Sequence, residues 1–248
     1  MDPLLAALSL VAGFAAGVVS GLFGVGGGIV MVPVLHYALG LPFALSTQVS
    51  LLVIAVNTPL GLLRQHRGHG TVRWQHGALL ALGGVAGVLL AAALRPYLSI
   101  ATLKIFFALA ALFAAYRMVR PVAVRPHEAS ALWLVPAGVV AGAAAHWLGI
   151  GGGLLMVPAL VFLGTSIHQA VATSLVAVWT NAAFSTLLDL PGLVHHLLDA
   201  LPLVLGAVFG IVLGVHLANR SPAPGLKRGF AVFLGLMALY VLIDAVGP

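Results

Sequence analysis

Residues 21–35 read GLFGVGGGIVMVPVL, and residues 146–160 read HWLGIGGGLLMVPAL. Aligned, both carry Gly-x-Gly-Gly-Gly, two apolar residues, Met-Val-Pro, a variable residue and Leu. The paired positions are Gly24/Gly149, Gly26/Gly151, Gly27/Gly152, Gly28/Gly153, Met31/Met156 and Pro33/Pro158. About half of the 248-residue chain separates them, which marks an internal duplication.

Each cluster lies in a long apolar stretch without charge. Glycine holds a helix poorly and tolerates left-handed backbone angles. Pro33 and Pro158 each lack a donor and leave one carbonyl without its helical partner. In lipid a freed backbone group is costly unless protein or a water-filled cavity covers it. The pattern predicts two broken segments that face each other inside the protein, with backbone amides able to hold an anion.

Composition agrees with a membrane setting. The chain is 62% hydrophobic and 6% charged, with mean hydropathy +1.16. A water-soluble domain needs far more surface charge, so the expected class is an all-α polytopic membrane protein. A net charge of +6 from 11 basic residues does not indicate nucleic acid, because those residues sit at segment ends. The lack of cysteine excludes disulfides, thiolate metal sites and cysteine nucleophiles. The opening MDPLLAALSL carries Asp2 and no basic residue, so it reads as a retained helix and not a cleaved signal.

Apolar segments run roughly over 4–22, 25–39, 44–63, 77–94, 99–116, 131–148, 150–163, 168–188, 200–219 and 225–245. Those after the glycine clusters fall short of a full span of about 20 residues; short tilted crossings and re-entrant arms both fit. Arg64, Arg67 and Arg73, then Arg117, Arg120 and Arg125, then Arg220, Lys227 and Arg228 form three basic groups expected on the cytoplasmic side. Asp2, a loop with Asp189 and Asp199, and Asp244 fall opposite, together with both termini, and Lys104 there is expected to snorkel. Each half then makes an odd number of crossings. The expected organisation is a first membrane repeat over 1–119, a cytoplasmic linker over 120–130, basic from 117 to 128, and a second repeat over 131–248. The two repeats have inverted topology, with glycine-broken, short or re-entrant helices meeting near the midplane, a recurring plan of secondary transporters.

The duplication extends further. Ser50-x6-Asn57 matches Ser174-x6-Asn181, Gly40 matches Gly164, and Gly87 matches Gly210. The paired glycine stretches, each followed by a Ser…Asn helix, resemble the TauE/SafE sulfite exporter family over nearly the whole chain. That resemblance implies a permease in a bacterial-type inner membrane, exporting a small anion such as sulfite, a sulfonate or a related organosulfur anion. One departure from symmetry is Thr173, matched by Val49.

The candidate substrate-binding residues are Gly24, Gly26, Gly27, Gly28, Gly149, Gly151, Gly152 and Gly153, then Ser50, Asn57, Thr173, Ser174, Asn181 and His146. Consecutive N–H groups and the starts of helices beginning near Ile29 and Leu154 would supply partial positive charge. Two helical turns put Ser50 on one face with Asn57 and Ser174 on one face with Asn181, beside Thr47, Gln48 and Thr180. Interhelical hydrogen bonding is the plainer reading of the same residues. Trp179 is expected to line the cavity beside Asn181, and His146 directly precedes the second cluster. The stripes Gly13/Gly17/Gly21, Gly83/Gly87 and Gly206/Gly210/Gly214 read as helix packing.

All five carboxylates lie at or near segment ends, which argues against a cation substrate. No phosphate-binding GxxxxGK[ST] stretch is present, so an ion gradient or the membrane potential must drive transport. No serine lies in a GxSxG turn with a histidine–acid partner at depth, which disfavours an intramembrane hydrolase. A channel-like pore for an anion or small solute is the alternative. No cofactor, metal site or nucleic-acid partner is expected, and a coupling ion and a homo-oligomer are compatible with the sequence.

Overall fold

A computed structural model describes residues 3–67, 72–94, 97, 99–119, 130–198 and 200–246. The expected linker, and with it Arg120, Arg125 and Glu128, falls outside the described residues, as do Asp2 and Asp199 and the side chain of Lys104.

The chain is helical throughout its described elements. The first half holds α1 (Pro3–Phe23), α2 (Gly28–Pro33) continuing as a π turn (Val34–Ala38), α3 (Phe43–Arg67), α4 (Trp74–Leu94) and α5 (Ile100–Val119). The second holds a 3-10 turn (Ala131–Trp133), α6 (Leu134–Leu148), α7 (Gly153–Phe162), α8 (Ile167–Leu193), a further 3-10 turn (Val194–His196), α9 (Leu201–Arg220) and α10 (Ala223–Val246). Among the described residues seven helical spans are long and apolar enough to cross a membrane; the stretches Gly28–Ala38 and Gly153–Phe162 are shorter. The exterior is apolar, with Leu82, Val140, Phe209 and Leu236 exposed, whereas Ser50, Asn57, Thr173 and Asn181 are buried. That inside-out polarity suits a lipid solvent.

The glycine stripes decide which helices touch. A Cβ at Gly13, Gly17 or Gly21 would lie 2.2, 2.3 or 2.5 Å from the carbonyl oxygens of Leu203, Ala207 and Ile211. Conversely, Gly206, Gly210 and Gly214 meet the carbonyls of Leu10, Phe14 and Val18. The contacts advance together, so α1 and α9 run parallel with their backbones in contact. Gly83 and Gly87 meet Val135 and Val139 in the same way, and Gly138 and Gly142 meet Leu80 and Gly84, so α4 and α6 are also parallel. Small residues every fourth position permit this approach.

At the centre α3 and α8 run antiparallel: Gly61 neighbours Leu175, and Gly192 neighbours Gln48. The Ser166 hydroxyl accepts from the Gln169 N–H and starts α8. Asp189 was expected in a loop but lies inside α8, because the leucine-rich run carries the helix through Pro191 to Leu193. His66 belongs to the end of α3 and His76 to the first turn of α4.

Arg64, Arg67, Arg73, Arg220, Lys227 and Arg228 gather at one end of the bundle. There Gln65 donates to the Gly21 carbonyl, the Arg73 N–H donates to Thr173 Oγ1, and His168 meets the Ser221 carbonyl. We refer to it as the arginine end. From the middle of the bundle α2 returns to the end where α1 begins, since Leu35 and Leu39 share a cavity there with Leu5 and Ser9. In the other half α7 returns to the arginine end, where α8 starts. Each short helix is therefore the inner arm of a hairpin.

Candidate functional site: two crossed glycine breaks

Both breaks have the same backbone. After α1, the Gly24 N–H donates to the Ser20 carbonyl at 2.8 Å; after α6, Gly149 donates to Ala145 at 2.9 Å. Gly24, Gly26 and Gly27 have φ of 70°, 86° and 79°, and Gly149, Gly151 and Gly152 have 69°, 73° and 83°. These six positions lie in the left-handed region, where a Cβ is strained. Val30 and Met31 then donate to the Gly27 carbonyl, as Leu155 and Met156 do to Gly152. Helices α2 and α7 begin at Gly28 and Gly153, one residue before the expected Ile29 and Leu154. The motif methionines, Met31 and Met156, are fully buried in the apolar core.

Gly28 and Gly153 do not need their glycine for φ. They need it because the breaks cross. A Cβ at Gly28 would sit 2.0 Å from the Gly149 carbonyl oxygen, and one at Gly153 would sit 2.3 Å from that of Gly24. Each break also doubles back on its own incoming helix, Gly27 against Ala16 and Gly152 against Ala141. Ser50 on α3 donates to the Gly149 carbonyl at 2.7 Å, and Ser174 on α8 donates to the Gly24 carbonyl at 3.0 Å. Each serine thus clasps the break of the opposite half. Ser174 divides its single proton, because the Val171 carbonyl lies 2.9 Å away. Where the breaks cross, Gly26 and Gly151 both rest on Ile54 and Val178, which are fully buried and form an apolar plug.

Asn57 and Asn181 flank this plug. Each follows a plug residue by three positions, and α3 and α8 are antiparallel. Asn57 therefore lies toward the arginine end and Asn181 toward the other. Both are fully buried. Asn57 Oδ1 accepts from Thr58 at 3.3 Å, but among the described residues its Nδ2 has no partner, and neither amide atom of Asn181 has one. A buried polar group left wholly unpaired costs about 1–3 kcal/mol, so these amides have hydrogen-bonding capacity to offer a bound group. Ser20 Oγ, Ser185 Oγ and Thr186 Oγ1 are also buried without partners. Sequence reasoning missed these three; Ser185 follows Asn181 by one helical turn, a spacing that could have found it.

The remaining candidates have other surroundings. Thr173 Oγ1 accepts from the Arg73 backbone and ties α4 to α8. His146 is buried in the last turn of α6. Thr47 and Thr180 donate to carbonyls of their own helices, Ala44 and Val176. Trp179 does not face Asn181: it is 42% exposed, because two residues along a helix turn a side chain to the opposite face. A cavity of about 40 Å³ touches both breaks at Ile29 and Ile150 and is lined by His36, Tyr37, Tyr240 and Asp244. Its Tyr37 hydroxyl donates to the Asp244 carboxylate. Among the described residues no three His, Asp or Glu side chains converge as a metal site.

Known proteins are similar to this chain in sequence. The family described as Sulfite exporter TauE/SafE matches residues 9–241. A "Probable membrane transporter protein" of Haemophilus influenzae is 29% identical over 95% of this chain and 97% of its own length. One of the same name from Xylella fastidiosa (strain 9a5c) is 30% identical over 90% of this chain and 89% of its own. A third, "Probable membrane transporter protein MJ0441" of Methanocaldococcus jannaschii, is 23% identical over 97% and 96%. No solved structure matches. With two glycine-broken hairpins crossing inside an apolar helical bundle, and a family match over nearly its whole length, the chain is a membrane transporter and belongs to the TauE/SafE sulfite exporter family.

Proposed function

We propose that the protein is a secondary permease exporting a small anion of the sulfite, sulfonate or organosulfur class. The observation that carries this reading is the pair of buried, partly or wholly unpaired amides, Asn57 and Asn181, on opposite sides of the Ile54/Val178 plug. Such amides supply neutral N–H donors where an oxyanion could be stripped of water. Two half-sites follow. The amides of Gly26 and Gly27 with Ser20 and Asn57 form one, and those of Gly151 and Gly152 with Asn181 and Ser185 form the other. The clasping hydroxyls of Ser50 and Ser174 and the Thr173 contact hold the breaks in place, and His146 stands at the edge of the second half-site.

Neutral donors also aid release, since no full counter-charge must be separated from the ligand. The two halves are inverted repeats in this reading. Their central helices α3 and α8 are antiparallel, each half-site faces one end of the bundle, and alternating access parts the plug toward one end at a time. The arginine end is cytoplasmic, the membrane is the inner one, and both termini are external. A negative-inside potential then favours outward movement of the anion by about 2.3 kcal/mol per charge per 100 mV.

Proteoliposomes loaded with sulfite or a sulfonate test the reading. Saturable efflux that accelerates when the compartment equivalent to the cytoplasm is made negative is the expected result. Saturable flux of a cation with none of these anions would overturn it.

A further inference from the structure

A further cleft has no counterpart in the duplication. It opens at the arginine end between α3 and α9, encloses about 510 Å³, and is lined by Leu60, Leu63, Arg64, Arg67, Val212, Val215, His216 and Asn219. The registers that pair Ser50 with Ser174 and Gly87 with Gly210 pair Arg64 with Leu188, Arg67 with Pro191, His216 with Ala93 and Asn219 with Pro96. The other half thus carries only apolar residue types at these positions. Packing of α3 on α9 therefore does not require the polar set. A general excess of basic residues at this end explains arginines, but not why His216 and Asn219 from the other helix line the same cleft.

We infer that this cleft seats the headgroup of an acidic phospholipid. Its lining is graded along both helices. Leu60 and Leu63 precede Arg64 and Arg67, and Val212 and Val215 precede His216 and Asn219, so apolar residues lie deep and polar ones at the bundle end. A phospholipid has the same gradient, with acyl chains deep and a charged phosphate at the interface. Among the described residues no carboxylate lines the cleft and neither arginine forms an ion pair. The guanidinium groups are therefore available for bidentate contact with phosphate oxygens. The Asn219 amide lines the cleft beside them and suits a headgroup hydroxyl such as that of phosphatidylglycerol. A cleft built for a soluble anion would instead lead inward through polar residues, whereas here Ile211 packs on Gly61 beneath it.

The full chain, purified in a neutral detergent, is titrated with phosphatidylglycerol, phosphatidylcholine or inorganic phosphate while its thermal midpoint is followed. Phosphatidylglycerol alone should raise the midpoint saturably. The double variant R64Q/R67Q should weaken its apparent affinity about 30-fold, at about 1 kcal/mol per basic residue. The variant R73Q removes a charge from the same end outside the cleft and should leave the affinity unchanged. Asn219→Leu should reduce affinity with every charge kept, which separates seating in the cleft from attraction to a basic surface. Equal stabilisation by inorganic phosphate would assign the cleft to a soluble anion and overturn the proposal. So would an R73Q loss as large as that of the double variant, or undiminished binding by R64Q/R67Q. Transport is not the readout, so failure here leaves the permease reading untouched.

Discussion

Replacing Asn181 with leucine should make the protein more stable and less competent. In the wild type both amide atoms are buried without a protein hydrogen bond, and each unpaired group costs about 1–3 kcal/mol. Leucine is close to asparagine in shape and removes both. The contact with Gly84, whose Cβ position lies 2.1 Å from Asn181 Oδ1, leaves little slack, so repacking takes back about 1.5 kcal/mol. The net gain is about 0.5–4.5 kcal/mol, which in a chain of this size raises the thermal midpoint by about 1–18 °C. Transport should fall because the half-site loses its donor. Thermal denaturation in detergent and sulfite efflux from proteoliposomes, run on the same preparation, read the two effects together. Asn57→Leu should gain less, since Asn57 Oδ1 already accepts from Thr58. A fall in midpoint, or unchanged efflux kinetics, would refute the reasoning, because an amide with a purely structural task stabilises the fold and does not touch substrate.

The clasps should behave in the opposite sense. Ser50→Ala leaves the Gly149 carbonyl without its donor and should cost about 1–2 kcal/mol; Ser174→Ala should cost less, because that hydroxyl is shared with Val171, and thermal midpoints of the two variants rank them. Gly153→Ala drives a methyl into the Gly24 carbonyl and Val25 Cα, so it should lower stability by about 1–3 kcal/mol and abolish efflux in protein that still inserts. Gly40 and Gly210 form a matched test: Gly40 has φ 69° with open space around it, while a Cβ at Gly210 would lie 2.1 Å from the Phe14 carbonyl. Gly40→Ala should cost only about 1–2 kcal/mol of backbone strain, whereas Gly210→Ala should reduce the yield of folded protein, as size-exclusion profiles of the two would record.

Helix number, the position of both breaks and the packing stripes were legible because they are local. Gly13, Gly17 and Gly21 announce a close approach whatever lies opposite. Their spacing does not say that the partner is α9 and not α3, since pairing depends on distant chain. The same limit hid the serine clasps. Ser50 and Asn57 share a face, but the acceptor for Ser50 is a carbonyl nearly a hundred residues away, freed by a break whose crossing only the assembled fold creates. Trp179 was misplaced because nearness in sequence was taken for a shared face. Asp189 was misplaced because a charge was read as an end, although nothing stops α8 before Leu193.

The crossing also limits how the halves can move. Because Gly28 touches Gly149 and Gly153 touches Gly24, neither break can shift without displacing a carbonyl of the other, and each carbonyl is held by a serine on the opposite central helix. Rotation of one half is therefore transmitted to the other through hydrogen-bonded backbone. In a perfectly duplicated chain, states open to either end would be equal in energy. This chain departs from that balance at identifiable points. The return arm of the first half carries a π turn at Val34–Ala38, while α7 is regular. Thr173 ties α8 to the start of α4, and its partner position is Val49. The Ser50 clasp is undivided, whereas that of Ser174 is shared. The second break is thus held by the stronger bond, and the first is the freer to move. A bias of this kind sets which end the empty carrier faces, since an imbalance of about 1.4 kcal/mol already shifts two states tenfold, whereas the direction of net flux is set by the gradient.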